Sequence, residues 1–261
     1  MGKAKDIELR PISRSVANLL IKDVHYSGKV CTNSQLHIGV FYGGHLEGAL
    51  QFGPSLDKRK LIGLVGGTKW NEFIELNRLA FTDKLPRNSE SRAIAIAMRL
   101  LRKNAPHLKW VVSFADATQC GDGTIYRASG FVLTGIKKGG NLKGPKFAPE
   151  CLPDYLRAAY DNFVARHGRI FHHMTLEGGE RHSREQKALR AAYYQYNSGG
   201  VSKQVYIDLG CKRLPGYQLR YIYFLDTACR ASLTVPEIPF ERIWEVGAGM
   251  YRGDKVSEQR V

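Results

Sequence analysis

The sequence predicts an α/β or α+β architecture, from the alternation of its strands and helices. Three observations predict it. The stretch Phe73 to Phe131 runs strand, polar turn, helix, strand, polar turn, short helix, the alternation of α/β proteins. KWVVSFAD is an unbroken apolar run ending in a carboxylate, the pattern of a strand buried on both faces at a sheet centre. The close strand–helix–strand spacing over 70–116 fits a right-handed crossover between neighbouring parallel strands. Three parts are expected: a core over 1–138, a basic helical insertion or extension over 139–205, and strands over 206–261 that complete the sheet, with a tail.

In chain order, DIELRPI alternates like a short strand. SRSVANLLIKDVHYSG reads as a helix, with Val16, Leu19, Leu20 and Val24 as its apolar face, Ser13 or Ser15 as N-cap and Gly28 as stop. LHIGVFYGGHLEGALQFG is a hairpin turning at Gly43-Gly44. PSLDKRK is a basic connection, and WNEFIELNRLAFT is a long strand. Pro86-Arg87-Asn88-Ser89 punctuates the chain before a helix to about Lys103, with Asn88 as its cap. Residues 121–130 form a loop and short helix, and FVLTGIKK a further strand. Beyond a Gly/Lys-rich stretch, LPDYLRAAYDNFVARHG and SREQKALRAAYYQYNS read as amphipathic helices, QVYIDLG and YQLRYIYFLD as strands. The pattern of VPEIPFERIWEVGAGMYRGDK assigns no element.

A formal net charge of +15 and a sequence pI near 9.7 point to a polyanionic partner, most economically nucleic acid. No apolar run approaches the roughly 20 residues that span a bilayer. The five cysteines, Cys31, Cys120, Cys151, Cys211 and Cys229, include no CxxC pair, which fits a reducing cytoplasm. The histidines at 167, 172, 173 and 182 match no zinc spacing and are expected to face solvent.

Several polar residues could carry chemistry. The helix opening at Asn88 would offer the N–H groups of Ser89, Glu90 and Ser91 beside Arg87 and Arg92, an arrangement that binds phosphate, although on spacing alone capping plus surface arginines explains it better. Asp116, at the carboxyl end of an apolar strand, sits where open α/β sheets place their ligand crevice; a turn aspartate is the alternative. Tyr126 offers a phenol to a leaving group or a ring to a base, unless it is a core tyrosine. Glu75, Asn77 and Arg78 interrupt a strand. Glu75 and Asn77 share a face and Arg78 points the other way unless a bulge intervenes, with Asp116 one candidate partner. His25 and Tyr26 lie at a helix exit, where side chains can face a cleft.

GTIYRASGFVLTG, after strand–turn–helix–strand, resembles the GNAT acyltransferase fold, in which a central helix opens on the pyrophosphate of coenzyme A. This likeness narrows the architecture to α/β: a mixed, mostly central twisted sheet with helices on both faces, plus a C-terminal extension. The pyrophosphate loop departs from that family, because both of its glycines are replaced in Arg87-Asn-Ser-Glu90-Ser-Arg92-Ala93. ELNRLAFTDKLPRNSESRA, SFAD and CGDGTIYRASGFVLTG together resemble the Mom family of phage DNA-modification proteins, with HYSGKV and QLHIGVFYGGHLEGALQFGPS in support. The resemblance covers roughly residues 20–137.

That resemblance implies an enzyme that converts adenine N6 in DNA to an N6-carbamoylmethyl adduct and protects phage DNA from host restriction. It implies roles for His25, Tyr26, Arg78, Ser91, Asp116 and Tyr126, with Arg87, Asn88, Ser89, Ser91 and Arg92 beside the donor. The donor expected is acetyl-coenzyme A or another small activated compound, such as one derived from glycine; iron is a further candidate, with no ligand set legible. The partner expected is double-stranded DNA with the target adenine flipped out, gripped by Lys58, Arg59, Lys60, Lys137, Lys138, Lys143 and Lys146. The setting is the host cytoplasm, away from membranes, and a homodimer is an option. Two competing readings stand beside it: an ordinary GNAT N-acetyltransferase acting on a protein or small amine, and a non-catalytic DNA-binding protein on the same scaffold.

Overall fold

The computed structural model describes residues 3–25, 30–117, 122–138, 152–167, 210, 216–251 and 254–255. Its centre is a seven-stranded sheet. The strands are β1 (Glu8–Pro11), β2 (Leu36–Tyr42), β3 (His45–Gly53), β4 (Phe73–Phe81), β5 (Trp110–Asp116), β6 (Val132–Lys138) and β7 (Tyr217–Phe224). Their spatial order is β1-β2-β3-β4-β5-β7-β6. Every pairing is antiparallel except β4 with β5, the predicted parallel crossover, whose connection contains helix α3 (Ser89–Asn104). The β2–β3 hairpin turns where expected, because Gly43 and Gly44 hold φ of +57° and +82°, which a tight two-residue turn needs and side chains resist. A late arrival, β7, lies between β5 and β6 and pairs with both along its length.

Helices cover both faces. Helix α1 (Arg14–Val24) packs on β3 and β4 on one side, followed at the same face by short α2 (Lys58–Leu61) and a 3-10 turn at Ile62–Leu64. On the other side lie α3 and α4 (Thr124–Ala128). The larger apolar cluster fills that second face with Ile38, Leu50, Phe52, Leu76, Ile94, Met98 and neighbours. The smaller one joins Leu64, Phe73, Trp110, Ile222 and Phe224, with Phe73 and Trp110 stacked at 4.3 Å. Helix α5 (Asp154–His167) forms as the pattern predicts, and α6 (Arg242–Glu245) and the β8–β9 pair (Met250–Tyr251, Asp254–Lys255) lie in the C-terminal stretch that the pattern left unassigned. The predicted helix over 183–198 and the expected strand at 204–209 lie outside the described residues.

Two local expectations need correcting. Helix α1 is capped by Ser13, whose Oγ accepts from Val16 N, but it ends at His25, before Gly28. Its buried side chains are Ala17 and Ile21; Val16 is 41% and Leu19 53% exposed. The sheet beneath presents Gln51 and Ala49, and small Ala17 lets the helix come close while Asn18 Oδ1 accepts from Gln51 Nε2 at 2.9 Å. Asn88 does precede α3, but in the left-handed conformation (φ 70°), and its side chain makes no capping bond.

Candidate active site

The site begins with a register fault. On β3, Gln51 faces Arg78 and the next residue, Phe52, faces Leu76, so Asn77 is an extra residue on β4. Such a bulge bends its strand and shifts side-chain parity by one. The shift is visible in the core: Ile74 and Leu76 belong to the larger cluster before the bulge, Leu79 and Phe81 after it. Arg78 is thereby turned to the face of Glu75 and α1. Buried Asn77 holds the bulge, its Oδ1 accepting from Ser34 Oγ at 3.0 Å. The β4–β5 ladder ends at the same level, pairing only Phe73–Leu76 with Trp110–Ser113, although β4 runs on to Phe81 and β5 to Asp116. The two strands part there.

A cavity of about 300 Å³ lies in the parting, and His25, Arg78, Asp116 and Tyr126 all line it. His25 follows Ala17 and Ile21 at i+4 spacing on the buried side of α1, which carries it to the cavity. Burial, then the Arg78 charge, lowers its pKa to about 3, so the imidazole is neutral at physiological pH. Arg78 donates from Nη1 to Asn77 O at 2.7 Å. Asp116 ends β5 opposite Gln218 of β7. Tyr126 is buried on α4, stacked on Tyr221 at 5.0 Å and edge-on to Phe131 at 5.4 Å. With its ring so enclosed, Tyr126 offers its hydroxyl rather than a stacking face. That hydroxyl meets Ser113 Oγ at 3.0 Å. Tyr26 lies outside the described residues.

The start of α3 holds the other predicted group. Ser89 N–H donates to Pro86 O at 3.1 Å, which leaves the N–H groups of Glu90 and Ser91 without intrahelical partners by helix geometry. Ser91 Oγ donates to Asn88 O, and Arg87 is exposed. Ser89 Oγ and Arg92 Nε are buried with no hydrogen-bond partner. Unfilled donors beside a helix N-terminus fit an anionic group, and Arg92 is the strongest of them.

Residues 6–142 match the Mom protein family. The chain is 32% identical over 237 residues to "Methylcarbamoylase mom" of Escherichia phage Mu, covering 88% of this chain and 80% of that protein. The chain belongs to the Mom protein family. Solved structures similar to it include a Bacillus subtilis acetyltransferase in complex with CoA, at TM-score 0.39 and 10% identity over 84% of this chain and 97% of that one. Another is a GNAT family acetyltransferase from Elizabethkingia anophelis with acetyl-CoA bound, at TM-score 0.33 and 15% identity over 54% and 87%.

Further residues stand around this Mom-family cavity, and of these the sequence does not single out Ser113 or Asp122. Ser113, fully buried, joins the Tyr126 hydroxyl to Leu76 O at the point where the ladder ends. Its signal was a lone serine within WVVSFAD, a polar interruption of a strand otherwise buried on both faces. Glu75 is kept above the usual carboxylate range by burial, against the pull of Ser55, Asn77 and Arg78. Glu90 also lines the cavity, raised by partial burial and then by Asp83. Asp122 Oδ1 accepts from Thr124 N just ahead of α4, and Gly123, at φ 74°, lies where a Cβ would come within 2.7 Å of the Tyr221 hydroxyl.

The predicted DNA cations fall into different settings. Lys58 is drawn over the rings of Trp70 and Phe73, at 4.9 and 5.2 Å, and burial lowers its pKa. Lys60 pairs with Asp57 at 3.3 Å, and Arg59 is exposed. Lys137 and Lys138 are exposed at the end of β6, and Lys143 and Lys146 lie outside the described residues. Among the described residues, no three His, Cys, Asp or Glu side chains group to hold a metal, and no helix is long and apolar enough to cross a membrane.

Proposed function

We propose that this chain is a transferase that modifies the exocyclic N6 of adenine in DNA, leaving an N6-carbamoylmethyl group that protects phage DNA from restriction. One observation carries the reading: His25, Arg78, Asp116 and Tyr126, far apart in sequence, line one cavity where β4 and β5 part, in a chain 32% identical to a methylcarbamoylase of phage Mu.

The chemistry follows from the target. The N6 lone pair is delocalised into the adenine ring, so attack needs proton removal from the amino group. Asp116 is the acceptor, and Arg78 holds the developing negative charge of the donor. Neutral His25, with so low a pKa, serves as a hydrogen-bond partner of the base rather than as a strong proton acceptor. Tyr126 supplies a proton to the departing group, the Ser113 hydroxyl donates a hydrogen bond to the phenolate left behind, and solvent returns the proton once product has gone. The base reaches the cavity by leaving the helix stack.

An acyl-coenzyme A type of donor would lie with its phosphates at the start of α3, held by Arg92, Arg87 and the N–H groups of Glu90 and Ser91. The carbamoylmethyl product is joined to N6 through a methylene, so direct transfer forms the N6–CH2 bond as a bond from that CH2 to a leaving group breaks. The carbon that a plain acetyl-coenzyme A activates is its carbonyl, so the donor is a different one: a glycine-derived compound qualifies when its CH2 carries the leaving group.

Mass spectrometry of nucleosides from plasmid DNA of expressing cells tests the reading. The expected result is carbamoylmethyl-adenine with the wild-type chain and its loss with Asp116→Asn or Arg78→Ala, each variant folded by circular dichroism. Adenine left unmodified by soluble wild-type protein overturns the function. Wild-type levels from either variant remove that residue from the site.

A further inference from the structure

The sheet face at the cavity continues across β7 and β6. On β5, Ala115 belongs to the larger cluster on the α3 side, while Phe114 packs with the smaller one, so Phe114 and Asp116 point to the α1 side, as Arg78 does. Both line the cavity. Residues directly opposite in an antiparallel pair share a face, and the register sets Arg220 opposite Phe114 and Gln218 opposite Asp116. On β6, Gly135 lies opposite Arg220 and Lys137 opposite Gln218. One row of side chains therefore runs Asp116, Gln218, Lys137, and the next runs Phe114, Arg220, Gly135.

Arg220 is half-buried, burial lowers its pKa, and no carboxylate opposes that among the described residues. Its Nε donates to Thr134 Oγ1 at 3.1 Å and its Nη2 to Thr134 O at 2.7 Å, both neutral acceptors. The planar head lies over Gly135, where a Cβ would come within 3.3 Å of it, beside the irregularity that Thr134 makes in β6. The charge is thus held above β6, two strand spacings or roughly 10 Å from β5, with exposed Lys137 two residues along the same strand. A desolvated cation without an opposite charge is costly, and a guanidinium fork matches the oxygens of a phosphate.

We propose that Arg220, with Lys137, seats a DNA phosphate next to the target adenine: the base enters the cavity at Asp116 while its sugar leads out over β7 to a phosphate above β6. The inference rests on the function proposed above. A base taken out of the stack carries its backbone with it, and cations fixed beside the cavity hold that backbone in place. Phosphates of the donor are the other anions of the reaction, and their place at the start of α3 is on the opposite side of the sheet.

The test uses purified protein, the small-molecule fraction of expressing cells, which contains whatever donor the reaction uses, and three synthetic duplexes read by nucleoside mass spectrometry. One has a natural backbone; in the others the phosphate preceding, or following, each adenine is a neutral methylphosphonate. Arg220→Gln keeps a donor for Thr134 and loses the charge. On the natural duplex it should modify about tenfold less than wild type, the loss of one charge-assisted bond. On one of the two neutralised duplexes wild type should fall by a similar factor, and the variant should then differ from it by less than about twofold. Equal activity of the two proteins on the natural duplex overturns the seat. A tenfold gap that persists on all three duplexes also overturns it, assigning Arg220 to the folding of β6 or to the donor. Wild type that leaves even the natural duplex unmodified overturns the underlying function, a failure distinct from the other two.

Discussion

Ser113 Oγ lies 3.2 Å from Leu76 O and 3.0 Å from the Tyr126 hydroxyl, in the fully buried middle of the sheet. Ser113→Ala removes about 1 kcal/mol of stability, one net hydrogen bond, and frees the Tyr126 phenol to rotate. Modification should fall roughly tenfold, the equivalent of 1.4 kcal/mol in barrier. Denaturant unfolding and nucleoside mass spectrometry read the two effects separately; unchanged activity would show that Tyr126 needs no such anchor. His25 sets a pH dependence. Its folded pKa of about 3 lies below its unfolded value near 6.5, so between those values the unfolded chain binds more protons. Its contribution to stability is complete above pH 6.5 and lost as pH falls towards 3. His25→Gln should flatten the acid side of the wild-type stability curve in that window, and parallel curves would place the acid sensitivity elsewhere.

Strand β4 shows what a single inserted residue does. Were the same sequence paired without a bulge at Asn77, strict alternation would put Arg78 on the face of Ile74 and Leu76, in the larger apolar cluster. Deleting Asn77 would leave Phe52 facing Leu76 and Gln51 facing Arg78 with no bulge between them, so Arg78 and Leu79 keep their faces while β4 straightens; modification should fall because the bend where β4 leaves β5 is lost. Asn77→Ala keeps the residue count and loses the Ser34 hydrogen bond, about 1 kcal/mol, while leaving Arg78 in place. A deletion variant as active as Asn77→Ala would show that the cavity does not depend on the bend in β4. The sequence made the strand and its polar interruption legible, and posed the bulge as a condition. It did not decide it, because a bulge is set by the partner strand, here by the step from Gln51 to Phe52. The same limit explains α1. Its apolar periodicity marked Val16 and Leu19, yet burial fell on Ala17 and Ile21, because the sheet decides which side of the helix docks, here the side on which Asn18 bonds Gln51.

For the whole molecule, the strand–helix–strand core and its parallel crossover were legible because consecutive strongly patterned elements are neighbours in space. Cavity residues as distant as His25 and Tyr126 are linked in the sequence by family likeness alone, since nothing in local spacing places a helix exit beside the end of β5. The net charge of +15 belongs to this scale as well. Affinity for duplex DNA should fall steeply with salt, log affinity declining linearly with log salt at a slope near −0.9 per phosphate neutralised. A flat response in a binding titration would detach the charge from DNA.

The place of β7 has a consequence for how the chain is made. Among the described residues β6 pairs with no strand but β7, and β5 has β4 on one side and β7 on the other. As the protein leaves the ribosome, β6 must wait for residues 217–224 before its backbone is paired, and the second edge of β5 waits with it. High contact order of this kind slows folding and leaves a sticky apolar edge open during synthesis. A chain stopped after residue 142, where the family match ends, would carry that edge permanently and should collect in inclusion bodies, whereas one that includes β7 should not. The last quarter of the chain is thus the latch on the sheet that forms the cavity floor.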